Sequence, residues 1–474
     1  MTTASRLTAR RGLAAAAVLA AAGCALATAI PAQATATPAQ IATSRANGVA
    51  YLRTLQGADG GYAGSGLSNE WAFSAFAAAG TAAADITPGG DTTKNARLVY
   101  RNQLAAPTWP SANPVVTDYE RGILNSYAAG IDPARVGPGR NLVADAVSYW
   151  QTAEPGYYGS SANFNGTVFA LLALGGARTQ AGAQRVPQPL LDLSVAAVRA
   201  NQHTDGGWNY SKAAGDPTAL GQPGDIDMTG AAMASLCAAG VPNTDPAVVA
   251  AKTFLKNNFN PLNGAFKAMY GINTDSNGWA VSGLNACGIN PQGPDFNPSA
   301  SSKTPVDFLI AQQFNPGGGF RYQPTDTSPS AYASVDGLRA VAGGGFTAAP
   351  PTPVTAGEPR WAATTAFTPG TAARLALVVD DGTGKPRACA VTITPTGTTA
   401  TLGDVLDAAA GATPSGCVGA VTPASGSGAV TSLNGVANAG TSSWKLSVDG
   451  GAATAAARSA AINLGDTVSL RYGS

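Results

Sequence analysis

Six stretches of this chain end an apolar run with small residues and a glycine: Phe76-Ala-Ala-Ala-Gly80, Ser126-Tyr-Ala-Ala-Gly130, Leu171-Leu-Ala-Leu-Gly175, Leu236-Cys-Ala-Ala-Gly240, Asn285-Ala-Cys-Gly288 and Arg339-Ala-Val-Ala-Gly343. They recur at intervals of 45 to 65 residues. Self-similarity on this scale means stacked units that cannot bury their apolar faces alone. Each unit has one grammar. A first helix, such as 41–56 or 248–258, carries apolar residues on one face. A Gly/Asn/Pro-rich turn follows, and then a second helix that is apolar nearly all round and must therefore be buried. Asn69, Thr117, Asn163, Asp225, Ser276 and Ser330 are the expected N-caps, because their side-chain oxygens can accept from orphan backbone N–H groups. The closing glycine supplies the left-handed C-cap. Six outer and six inner helices in alternation predict a closed α6/α6 toroid over 35–345, since closure leaves no apolar face to be capped.

Composition narrows the function. Hydrophobic residues make up 45% and charged residues 12% of the 474, enough apolar surface for a sizeable core. Lys+Arg is 28 against 27 for Asp+Glu, so the chain lacks the electrostatic footprint of a nucleic-acid binder. Residues 1–34 read as a secretory signal: Arg6, Arg10 and Arg11, an Ala-rich apolar run, then Ala32-Gln33-Ala34 as a cleavage site. No transmembrane segment is expected after processing, and the location expected is extracellular. Arg10-Arg11 as a twin-arginine signal and Cys24 as a lipidation site are the alternatives. In an exported chain the remaining Cys237, Cys287, Cys389 and Cys417 suggest disulfides, paired 237–287 and 389–417 by the domain division. Buried free thiols are the alternative.

The turns carry a second signature. Gln56-Gly-Ala-Asp59-Gly60-Gly61-Tyr62 and Gln202-His-Thr-Asp205-Gly206-Gly207-Trp208 are near copies, and Gln313-Phe-Asn-Pro-Gly317-Gly318-Gly319-Phe320 is a looser third. This resembles the QW-type repeat of the terpenoid cyclase and protein prenyltransferase toroid superfamily, over roughly 40–345. Its residues have structural reasons: Gln closes the helix, Asp-Gly-Gly turns tightly with positive φ, and the ring packs over the turn. The motif therefore speaks for fold and hardly at all for function.

Residues 346–360 form a Pro/Thr-rich linker. Beyond it, in 361–474, the apolar period becomes two, with strands at Leu375-Ala-Leu-Val-Val, Cys389-Ala-Val-Thr-Ile and Val468-Ser-Leu-Arg-Tyr472, and one short helix at 401–409. Leu433-Asn434-Gly435, Trp444 to Gly450 and Leu464-Gly465-Asp466 through Tyr472 resemble the small C-terminal β domain of transcobalamin and intrinsic factor. In those relatives that domain follows an α6/α6 toroid, and a corrinoid lies between the two.

The N-termini of the inner helices share one rim. That rim collects Asn69, Glu70, Trp71, Asp118, Tyr119, Glu120, Asn163, Phe164, Asn165, Asp225, Asp227, Asn277, Trp279 and Tyr332. Aromatics, amides and acids around a concave mouth suit a hydroxylated or amide-bearing ligand. Helix capping and packing account for the same residues more plainly. Trp444 and Tyr472 would face the ligand from the β domain, or else fill its core. Asp225-Ile-Asp227-Met-Thr-Gly resembles the DxDDTA acid motif of squalene–hopene-type cyclases, with Asp227 at the central position and Met228 in place of the next Asp. A zinc site of the prenyltransferase kind finds one histidine, His203, which sits in a turn motif and reads as a surface residue. No Cys-Gly-Glu-Gln thioester run is present. Glu70, Asp118, Glu120 and Asp227 could supply an acid and a base for glycan cleavage, with Trp71 and Trp279 stacking sugars.

Three functions follow. The first is an exported binding protein, with no cofactor or metal required, that captures a small ligand such as a corrinoid between the toroid mouth and the β domain. The second is a glycan-active enzyme using Glu120 and Asp227, or less readily a cyclase-like one. The third is a surface interaction module, a cell-surface glycan being one partner.

Overall fold

A computed structural model describes residues 35–62, 69–160, 163–180, 186–211, 217–354, 364–412 and 416–474. The expected signal segment, Cys24 and positions 355–360 of the linker lie outside the described residues. The helices are α1 (Pro38–Thr54), α2 (Asn69–Ala78), α3 (Ala96–Ala105), α4 (Val116–Ala129), α5 (Leu142–Val147), α6 (Phe164–Gln180), α7 (Gln188–Ala200) and the single turn α8 (Pro217–Leu220). After these come α9 (Ile226–Ala238), α10 (Pro246–Asn257), α11 (Thr274–Ala286), α12 (Pro305–Ala311), α13 (Ala331–Val341) and α14 (Leu402–Gly411). A small hairpin, β1 (Phe259–Asn260) with β2 (Ala265–Phe266), interrupts the helical part.

The all-round apolar helices are the buried ones. α2 packs on α4, α4 on α6, α6 on α9, α9 on α11, α11 on α13, and α13 back on α2, so these helices form a ring. The amphipathic helices cover them: α5 packs on α4, α7 on α6, α10 on α9, and α12 on α11 and α13. The turn motif ties one unit to the next. Gln56 Nε2 donates to Gly60 O at 2.9 Å within its turn and to Ile86 O at 3.2 Å. Gln202 does the same with Gly206 O and Ala247 O, both at 2.8 Å. Gln313 donates to Gly318 O at 2.8 Å and to Ser44 O at 2.9 Å, which joins the last unit to the first helix. Tyr62, Trp208 and Phe320 are fully buried over these turns, as the motif requires.

Three local expectations are corrected. Gly80, Gly130, Gly240, Gly288 and Gly343 take positive φ after their helices, but Gly175 lies inside α6, which runs on to Gln180. A Cβ there would sit 3.4 Å from the backbone of Ala239, at the near edge of ordinary contact. Asp225 and Ser330 are N-caps, but Val115 and Asn273 take the places expected of Thr117 and Ser276. At α4 the Asp118 carboxylate accepts from Val115 N at 2.9 Å and does the work of a capping side chain. The start of the expected linker is also no free spacer. Phe346 is 1% exposed, and Asn285 Nδ2 donates to Gly344 O at 3.2 Å. A Cβ on Gly176 would lie 2.5 Å from Thr347. The chain leaving α13 thus crosses the C-terminal ends of the inner helices and closes that end of the ring.

The second part is built on a five-stranded sheet of order β10-β9-β12-β3-β4. Its strands are β3 (Ala373–Asp380), β4 (Arg387–Ile393), β9 (Ser443–Val448), β10 (Thr454–Ala455) and β12 (Thr467–Gly473). Short pairs surround it: β5 (Ala400–Thr401) with β11 (Ala461–Ile462), and β6 (Val421–Thr422), β7 (Ser432–Leu433) and β8 (Val436–Ala437). Period-two alternation gives the sheet two faces. Leu375, Leu377 and Val379 join Trp444, Leu446 and α14 in one core. Ala376, Val378 and Ala388 face the other way and join the core of the ring. Both expected disulfides are present: Cys237–Cys287 joins the ends of α9 and α11, and Cys389–Cys417 lies in the β part.

The β part docks on the outer helix α5 and its flanking loops. Trp150 Nε1 donates to Pro386 O at 2.8 Å, Arg374 N to Gly139 O at 3.0 Å, and Arg135 Nε to Leu464 O at 2.6 Å. Gly139 (φ +67°) permits this approach, since a Cβ would meet Ala372 O at 1.9 Å. At the centre Asp145, 5% exposed, pairs with Arg140 at 3.3 Å and Arg374 at 2.8 Å. Removing one partner of a buried pair strands the other charges. Because Arg374 is 40% exposed, the expected loss for Asp145→Ala is reduced to about 1–3 kcal/mol. Hydrogen exchange at β3 and a denaturation midpoint would measure it. An unchanged midpoint together with unchanged β3 protection would show that this pair does not hold the docking.

Candidate functional site

Asp227 and Asp275 occupy the same position, the second residue of α9 and of α11, after the N-caps Asp225 and Asn273. Helix geometry therefore brings both to the N-terminal end of the ring. Asp336 approaches from the neighbouring α13, where it accepts from Trp279 Nε1 at 3.2 Å and pairs with the fully buried Arg339 at 2.6 Å. Arg339 Nε donates to Ser282 Oγ at 3.1 Å, and its guanidinium lies 5.9 Å from the Trp71 ring and 4.7 Å from Phe346. Tyr210 OH approaches Asp227 Oδ2 at 3.5 Å.

Beneath the acids lies an aromatic floor. Trp71, Phe169, Trp279 and Phe346 stack edge-on or tilted, with centroids 5.1 to 6.3 Å apart. Phe346 enters from the segment that closes the far end. Among the described residues the other end of the ring, hereafter the cup, leaves Trp71, Asp227, Asp275 and Trp279 partly exposed. Tyr210, Tyr270 and Tyr332 are exposed at 42%, 77% and 46%.

The cup also sets the charge states. Burial raises Asp227 to about 7, helped by the charges of Asp225 and Asp336 and opposed by the Ser276 and Tyr210 hydroxyls. Burial raises Asp275 to about 8, with Asp336 and Asp227 adding repulsion and Arg339 opposing it. Burial also raises Asp336, against the pull of Arg339. One buried oxygen of Asp275 has no hydrogen-bond partner. The cluster can hold protons at neutral pH and donate them to hydroxyl or carbonyl oxygens.

The other expected site residues scatter. Asp118 caps α4 and pairs with Arg121 at 2.5 Å. Tyr119 packs between Trp109 and Tyr149. Asp225 accepts from Met228 N as a cap. Asn277 is fully buried and holds the β1–β2 hairpin through Phe266 N at 2.7 Å. Glu120 is fully buried, and neither carboxyl oxygen has a hydrogen-bond partner. Its charged neighbours are Arg121 and Asp118, so it does not meet Asp227. The Glu70 side chain lies outside the described part of the structure. Asn165 lines a cleft on the rim. Trp444 is 1% exposed, donates to Val436 O and stacks on Tyr472, so it belongs to the β core. Tyr472 also lines a groove between β9, β12 and the start of α7. With the β part on α5, neither residue faces the open end. His203 is 5% exposed rather than on the surface, with Nδ1 2.6 Å from Gln222 O. No group of three or more metal-ligating side chains occurs among the described residues, and no described helix is long and apolar enough to cross a membrane.

No protein-family model matches this chain, and no curated protein does. Solved structures to which the chain is distantly similar include the apo type II terpene cyclase MstE from Scytonema, 14% identical, with a TM-score of 0.43 over 64% of this chain and 97% of that one. Haptocorrin in complex with Cbi is 12% identical, with a TM-score of 0.32 over 93% and 99% of the two chains. A glycosidase variant in complex with glucose is 11% identical, with a TM-score of 0.41 over 64% and 96%. At these scores and identities the likeness is distant. It fixes neither a family nor an activity.

Proposed function

We propose that this is an exported binding protein whose closed α6/α6 toroid takes a small hydroxylated ligand into its open end. One observation carries the reading. Asp227, Asp275 and Asp336, from three successive inner helices, cluster above an aromatic floor that Phe346 completes from the far end. Aromatic faces and a few convergent polar groups are what a small-ligand site needs. Cobinamide and cobalamin stay in the test by resemblance, but the β part sits on α5, so the cup would have to bind a corrinoid without that cover. Calorimetry with cobinamide, cobalamin and neutral oligosaccharides tests the reading. Binding of one class, weakened at least about tenfold in Asp275→Asn, is the expected result. No heat from any of them would overturn it.

A second reading is cleavage of the bound glycan. It is favoured by Asp227 and Asp275, which hold protons near pH 7 and 8 beside the ion-paired Asp336. An acid and a base with separated proton affinities are the equipment of glycoside hydrolysis. Release of reducing ends that declines as pH rises past about 8, and disappears in Asp227→Asn, would favour cleavage over binding alone.

A further inference from the structure

We propose that the cleft between the first turns of α4 and α6 is a subsite for further neutral sugar units, so that the ligand of the cup is an oligosaccharide chain lying along the rim. This rests on reading the cup as a site for hydroxylated ligands.

The cleft has a volume of about 510 Å³ and is a product of the ring geometry: the two inner helices present their N-terminal ends side by side, and the 149–160 loop forms the outer wall. Its polar lining is almost entirely amide and hydroxyl, from Thr117, Tyr149, Gln151, Asn163 and Asn165. Glu154 is the one charged side chain among the lining residues, and no cation lines the cleft to attract an anionic ligand. Groups that both donate and accept match sugar hydroxyls, which also do both. Much of that capacity is unspent. The Thr117 and Asn163 side chains make no hydrogen bond to a described residue, and Gln151 uses one amide hydrogen, at 3.3 Å to Tyr149 O. Val115, 54% exposed, and the Tyr149 ring add the apolar surface that a sugar face covers.

Tyr210 links the flank of the cleft to the acid cluster. Its hydroxyl approaches Asp227 at 3.5 Å, and its backbone oxygen accepts from Phe164 N at 2.9 Å, between Asn163 and Asn165 of the cleft. A chain with one unit over the acids would lie across Tyr210 and place later units in the cleft. A compact ligand would reach the cup alone.

Calorimetry on the full chain with malto-, cello- and manno-oligosaccharides of one to six units tests this. In the series that binds, affinity is expected to rise at least about tenfold from the disaccharide to the hexasaccharide. The double variant Gln151→Ala, Asn163→Ala is expected to lower the hexasaccharide to the disaccharide level and leave disaccharide affinity and melting temperature unchanged. Affinity independent of chain length, or a double variant that binds the hexasaccharide like wild type, overturns the cleft and leaves the cup standing. Absence of binding at every length in all three series overturns both.

Discussion

Replacement of Gly230 by leucine is expected to abolish the folded ring, and replacement by alanine to cost about 1–3 kcal/mol. Gly230 lies on α9 where α11 crosses it. A Cβ there would meet Trp279 O at 2.5 Å and the Trp279 carbonyl carbon at 2.8 Å. The approach is mutual, since a Cβ on Gly283 would lie 2.5 Å from Gly230 O. Backbone cannot rotate away as a flexible side chain can, so the two helices would have to part. Parting them opens the ring and moves Trp279 from Asp336. Gly80 gives the contrast. It has φ +75° with nothing within 4 Å of a Cβ, so Gly80→Ala is charged only for backbone strain, on the order of 1 kcal/mol. Denaturant midpoints for the three variants separate the two effects. A leucine variant with the wild-type midpoint would mean that α9 and α11 do not touch at this glycine.

The ring was legible because its signals are local and repeated. An apolar helix with a terminal glycine and a Gln-to-aromatic turn needs no tertiary knowledge to recognise, and Cys237 and Cys287 followed from equivalent places at two helix ends. The site was half legible. Asp227, Trp71 and Trp279 stand where the rim was placed, but Asp275, Asp336 and Arg339 were passed over. Asp275 carried a usable signal, since it repeats the position of Asp227 one unit later. Asp336 and Arg339 carried another: opposite charges three apart inside an otherwise apolar helix must satisfy each other or something else. Phe346 and the docking of the β part were not legible. Both depend on where a Pro-rich segment leads the chain after α13, and composition reads such a segment as spacer. Trp444 stayed open between ligand and core for a related reason. Strand alternation tells which residues share a face, but not which face meets a neighbour.

Stability of this chain is expected to fall as pH rises from about 5 to 8, by several kcal/mol in total, and Glu120→Gln is expected to flatten that fall. Burial holds Glu120 well above the ordinary carboxylate range, with the repulsion of Asp118 added and the charge of Arg121 opposing it. Asp227 and Asp275 stand at about 7 and about 8. In the unfolded chain such carboxyls ionise near pH 4 (roughly 3.9 for Asp and 4.3 for Glu). Above that pH the unfolded chain has released protons that the folded chain still holds, so ν_U is less than ν_N and stability declines with pH. The stabilisation from each raised group is complete below its unfolded pKa and is lost as pH climbs through its folded pKa. The three contributions are not additive, because Asp227 and Asp275 each owe part of their rise to Asp336 and to the same closed space. Glu120 stands apart from that cluster, so its contribution can be removed alone. Glutamine keeps the shape and carries no charge at any of these pH values. The variant should melt closest to wild type near pH 4, where the unfolded carboxyl is still largely protonated, and above it at pH 8, by about 2 °C or more if the buried charge costs about 2 kcal/mol. Parallel melting curves for the two proteins across this range would mean that Glu120 reaches water or a partner when it ionises. Curves that converge towards pH 4 for Glu120→Gln, while Asp275→Asn keeps the wild-type slope, would place the pH dependence in the wall of the ring and leave the cup ionised, and a cup that holds no protons near neutrality could bind a glycan but could not donate a proton to its glycosidic oxygen.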